Sequence, residues 1–201
     1  MKKIDIFNLI LVVIAIIGGV YQSIYTIASG NLYGTLIRLG IIPIMLLPYI
    51  FKYVFKKNIS VTIMSIYIVF IFFSHFLGSI MNLYKIVPNY DKLMHLLSGM
   101  LSALFAIIVL VKWNRHKDDD VIFDSVFMLS ITMLIASLWE FYEFTFDRLF
   151  NKDAQLVKIT GSGDTMLDML AALIGCLFII TIYVYEVGNN KPIIIKNILR
   201  K

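Results

Sequence analysis

The chain has 201 residues, of which 60% are hydrophobic and 15% charged, and its mean hydropathy is +0.86. That balance excludes a soluble globular domain, whose apolar share runs nearer about 45–50%, and implies a polytopic membrane protein. The formal net charge of +5 does not point to a nucleic-acid partner, because the basic residues fall between apolar runs, where they orient helices.

The first apolar run, 6–27, follows a short basic start. It is long enough to span a bilayer, and Tyr21-Gln22-Ser23 makes a poor cleavage site, so it is expected to be retained as a helix. The second run, 32–54, holds Arg38 and two prolines, Pro43 and Pro48, which should kink it. The third, 61–84, carries His75 and Asn82. The fourth, 91–113, opens D-K-L-M-H and places Asp91, His95 and Ser98 on one helix face. The charged loop 112–120 that follows reads as solvated.

The fifth run, 121–147, ends W-E-F-Y-E-F-T-F-D, with Glu140, Glu143 and Asp147 on one face. The sixth, 164–187, starts D-T-M-L-D after a Gly-Ser-Gly lead-in and contains Cys176. As the only cysteine, Cys176 excludes disulfides, thiolate zinc sites and Cys-pair redox chemistry. The expected architecture is therefore all-α: one six-helix transmembrane bundle over 1–188 and a short basic tail over 189–201.

Six spans put both termini on one side. That side carries Lys2, Lys3, Lys52, Lys56, Lys57, Lys112, Arg115, Lys117, Lys191, Lys196, Arg200 and Lys201, twelve basic residues. The other side carries five: Lys85, Lys92, Arg148, Lys152 and Lys158. The positive-inside rule then predicts both termini in the cytoplasm, and the expected location is the plasma membrane.

A carboxylate near the bilayer centre costs roughly 2.5–3.5 kcal/mol on insertion scales and persists when paired, hydrated, protonated or metal-bound. In the predicted topology His95 and Asp168 lie about 6 Å below the outer helix ends, and Arg38, His75 and Glu140 about 10–12 Å below. No ionisable residue of helices two to six is read in the inner half. One outward-opening polar cavity accounts for this, lined by Arg38, His75, Asp91, His95, Glu140, Glu143, Asp164 and Asp168.

In that cavity Glu140, Glu143, His95 and Asp168 are the expected acid–base residues. Asp91, His95, Glu140, Asp164 and Asp168 form an oxygen-rich ligand set for Mg²⁺, Mn²⁺ or Zn²⁺. Arg38 and His75 are placed to receive an anionic substrate. The bland alternative is an interhelical salt-bridge network that only fixes the bundle.

The motif set D-K-x-x-H (Asp91, Lys92, His95), W-E-x-x-E (Trp139, Glu140, Glu143), then Gln155 and D-T-M-x-D (Asp164, Thr165, Met166, Asp168) resembles the YjdF-like inner-membrane proteins over roughly residues 60–185. That family has no assigned reaction. A remoter likeness is to VanZ-like proteins, linked to glycopeptide resistance, although a clear version of their later motifs is missing here. The residues fit an enzyme acting on a lipid or lipid-linked substrate. They also fit a cation- or proton-coupled transporter, or a non-catalytic membrane component.

Overall fold

The computed structural model describes residues 3–56, 60–116, 120–153, 155 and 157–191. Among them are six helices long and apolar enough to cross a membrane, and no strand. Several residues of the topology count, Lys2, Lys57, Lys117, Lys196, Arg200 and Lys201, lie outside the described residues, as does the tail from 192 onward. The chain forms two compact units, Met1–Tyr90 and Asp91–Lys201.

The first unit begins with α1 (Lys3–Ala28) and α2 (Leu32–Phe55), joined by a turn in which Gly30 adopts φ +68°. Asn31 caps α2, its side chain accepting the Gly34 N–H at 3.0 Å. The helix continues through both prolines. Pro48 offers no N–H to the carbonyl four residues back, and that carbonyl, Ile44 O, instead accepts the Tyr67 hydroxyl at 2.9 Å.

Tyr67 sits on α3 (Val61–Ile71), which passes directly into a π-helix over Phe72–Ile80. The predicted third span therefore ends earlier than 84. Asn82 takes a left-handed conformation, φ 63°, and starts the short α4 (Leu83–Ile86). The core of this unit is Val12, Ala15, Ile41, Met45, Ile68, Phe76 and Ile80.

The second unit contains α5 (Tyr90–Lys112, from Asp91 onward), α6 (Val121–Phe150), the short α7 (Val157–Thr160) and α8 (Gly163–Gly188). Asp120 caps α6 by accepting the Phe123 N–H at 3.2 Å. The buried face of α6 is Asp124, Met128, Thr132, Ala136 and Glu140, one residue per turn. The core is Ala103, Ala106, Ile107, Leu110, Met128, Cys176, Ile179 and Tyr183.

Small residues let α5 and α8 touch backbone to backbone. A Cβ at Gly99 would meet the Ala172 carbonyl, and one at Gly175 would meet the Leu96 carbonyl. Such approaches are how helices associate where lipid removes the hydrophobic drive between them. In keeping with that solvent, large apolar side chains face outward: Ile17 is 63% exposed and Ile122 80%.

Candidate functional site

The polar end of the second unit is assembled by the first two turns of two helices. Asp91, Lys92 and His95 come from the start of α5, and Asp164 and Asp168 from the start of α8. The backbone contact lies one turn further along each helix: Gly99 is four residues after His95, and Ala172 four after Asp168. The close crossing thus sets the distance between the two groups of side chains.

Lys92 is the hub. Its Nζ donates to Asp164 Oδ1 at 2.5 Å, to Asp168 Oδ1 at 2.7 Å and to Asp91 Oδ2 at 3.4 Å. His95 Nε2 stands 3.7 Å from Asp91 Oδ1 and 3.8 Å from Asp168 Oδ1. Asp91, His95 and Asp168 each offer a ligand atom, and these atoms all lie within 4.8 Å of one another. Two carboxylate oxygens and an imidazole nitrogen at that spacing are suited to a divalent metal.

Asp164, also expected as a ligand, is taken up by Lys92. Ser98, on the same face as His95, donates to the His95 carbonyl at 2.8 Å.

Glu140 is buried, and its partner comes from the loop after α6. Gln155 Nε2 donates to Glu140 Oε2 at 3.3 Å, to the Glu140 carbonyl at 3.3 Å and to Thr165 Oγ1 at 3.2 Å. Glu140 Oε1 is buried with no hydrogen-bond partner among the described residues. Asp147 Oδ2 accepts the Gln155 N–H at 3.1 Å, so it fastens the loop that delivers Gln155. Glu143 accepts the Trp139 indole N–H at 3.0 Å, one turn away on the exposed side of α6.

Arg38 and His75 belong to the first unit, where they meet around one stretch of α2. His75 Nε2 lies 2.8 Å from the Ile37 carbonyl and so carries the proton there. Arg38 Nη1 donates to the Gly34 carbonyl at 3.1 Å, while its Nε is buried without a partner among the described residues.

A second buried polar cluster escaped the sequence reading. Asp124 is fully buried, and its Oδ2 accepts the Tyr183 hydroxyl at 2.5 Å and the His116 Nδ1–H at 2.6 Å. Glu186, also fully buried, lies one turn beyond Tyr183 on α8. Two readings are corrected here. His116 is docked rather than solvated, and ionisable residues are not confined to the Glu140 end. Asp124 lies sixteen residues before Glu140 on the same stripe, about 24 Å along the helix. That spacing was the available signal, masked by the aspartate run just before it.

The family model for predicted membrane proteins DUF2238 matches residues 5–188. The chain belongs to this family. One relative of this DUF2238 protein is an uncharacterized protein of Thermotoga maritima, 27% identical over 130 residues, a stretch that is 64% of this chain. The chain spans 65% of that relative's length. No solved structure matches.

Proposed function

We propose that this is a plasma-membrane protein with both termini in the cytoplasm. Its Asp91–His95–Asp168 group binds a divalent cation on the outer side and presents it to an anionic lipid headgroup or lipid-linked substrate. The observation that carries the reading is the three ligand atoms within 4.8 Å, at the ends of helices that otherwise face lipid. The charge asymmetry of the sequence supports the sidedness. The likeness of the motifs to YjdF-like proteins, and more remotely to VanZ-like ones, fits an envelope role and assigns no reaction.

Around the cation, one ammonium faces Asp91, Asp164 and Asp168, with Glu140 and Glu143 on the neighbouring helix. Like charges this close in a medium of low dielectric require further neutralisation by protons or by a second cation. Glu140, with one carboxyl oxygen held by Gln155 and the other unpartnered, is the residue suited to exchange a proton with a bound substrate. Glu143 completes the proposed set as an outer carboxylate, and Arg38 and His75, within the first unit, are proposed separately as anion-binding groups.

A purely structural network is the second reading, favoured by the two short Lys92–aspartate contacts. The two separate on thermal unfolding of detergent-purified protein in a Mn²⁺ series against EDTA. A cation at about a hundred times its Kd stabilises by about 2.7 kcal/mol, a rise of about 5–10 °C for a chain of this size. His95→Gln and Asp168→Asn abolish the rise. If wild type shows no rise at any Mn²⁺ concentration, and carries no bound metal by elemental analysis, the network reading replaces the cation site.

A further inference from the structure

One carboxylate oxygen suited to hold a divalent cation beside His95 already holds an ammonium. Asp168 Oδ1 is 2.7 Å from Lys92 Nζ and 3.8 Å from His95 Nε2, and Asp91 faces both groups with its two oxygens. Metal–oxygen distances for Mg²⁺ and Ca²⁺ run about 2.0–2.6 Å. An ion seated on Asp168 would therefore stand within about 5 Å of the ammonium. At that separation, beside a carboxylate that is 2% exposed, two cations repel.

The partners differ in their freedom to leave. The Asp168 side chain is 2% exposed and the Asp164 side chain 10%, whereas Lys92 is 26% exposed. A lysine carries its charge on a flexible four-carbon stem and can swing its head to water while the stem stays against apolar surface. Asp164 and Asp168 are held at the start of α8 by the tight helix crossing, and Asp91, 37% exposed, lies at the rim; the ammonium on its long stem is the group free to withdraw from the two buried aspartates. A second observation indicates that one ammonium does not saturate this end of the unit. Glu140 is 5% exposed and its Oε1 has no partner among the described residues, while its Oε2 shares the Gln155 amide with Thr165, the residue after Asp164.

Resting on the cation-site reading above, we infer that Lys92 is the built-in competitor of that site. The divalent cation and the Lys92 ammonium occupy it alternately, and entry of the cation releases the ammonium toward the membrane surface. There it becomes a donor for the phosphate of an anionic headgroup, so the cation and its anionic ligand arrive together. Without the cation the site closes on itself.

The test compares Mn²⁺ affinity, by titration of detergent-purified protein, in wild type, Lys92→Gln and Asp168→Asn. It also follows the labelling of wild-type Lys92 by a water-soluble amine reagent, read by mass spectrometry. Lys92→Gln is expected to bind Mn²⁺ at least about tenfold more tightly than wild type, and Asp168→Asn to lose binding. Mn²⁺ is expected to speed labelling of Lys92 in wild type, a measurement that does not depend on the folding of any variant. If Lys92→Gln binds no more tightly than wild type, or Mn²⁺ leaves Lys92 labelling unchanged, alternation is overturned while the cation site stands. If neither wild type nor Lys92→Gln binds Mn²⁺, the cation-site reading itself falls.

Discussion

The two polar ends of the second unit solve the same problem differently. At the Asp124 end one carboxylate oxygen receives two short donors, from His116 and Tyr183; Asp124 and Tyr183 are fully buried and the His116 side chain is 18% exposed. At the Asp168 end three aspartates share one lysine, His95 stays beyond hydrogen-bonding distance of its neighbours, and Lys92 is 26% exposed. A single carboxylate gripped by two strong donors fastens a structure, whereas several carboxylates sharing one ammonium form a receptor for positive charge. The first end joins the segment after α5 to α6 and α8; the second keeps its options open.

Breaking the fastener should have the largest effect. Asp124→Ala removes the acceptor that the Tyr183 hydroxyl and the His116 ring share, and a loss of about 3–5 kcal/mol is expected on denaturant unfolding in detergent, as for other buried pairs broken on one side. The Mn²⁺ response of the surviving folded fraction should be unchanged, because the Asp168 end is about 22 Å away along α8.

A smaller effect is expected from Gly99→Ala, whose added methyl runs into the Ala172 carbonyl. Overpacking of this kind costs about 1–3 kcal/mol. Here it should also abolish the Mn²⁺-induced rise in Tm, since the displaced helices carry His95 and Asp168. A Gly99→Ala protein with normal Mn²⁺ response would show that the crossing does not set the site.

Smallest of all, Glu143→Gln should shift stability by no more than about 0.5 kcal/mol, its indole partner lying on the exposed face. A large loss of stability would mean that Glu143 belongs with the buried carboxylates after all.

Six spans were legible because bilayer thickness imposes a run length that few other structures need. Asp91 with His95, and Asp164 with Asp168, were legible as pairs because a spacing of four puts residues on one helix face regardless of what the helix meets. Lys92 was visible only as a nearby cation. That it bonds Asp164 and Asp168, 72 and 76 residues away, depends on where α5 crosses α8, and two glycines in apolar runs do not announce that.

His116 was misread for the same reason. In sequence it sits in a charged loop, yet Asp124 and Tyr183 draw it inward. The end of the third span was missed because Asn82 is unremarkable within an apolar run until its left-handed φ is known.

The carbonyl of Ile44 makes a different point about the first unit. Proline inside a helix is ordinarily a defect of about 3 kcal/mol, so replacing Pro48 with alanine would be the obvious way to strengthen α2. With Tyr67 already on that carbonyl, the restored amide would arrive as a rival. A carbonyl oxygen has two lone pairs, so amide and phenol would share it, and the gain from the restored bond should fall short of about 3 kcal/mol. Proline and tyrosine have become a complementary pair, nineteen positions apart, the phenol satisfying the carbonyl that the proline cannot.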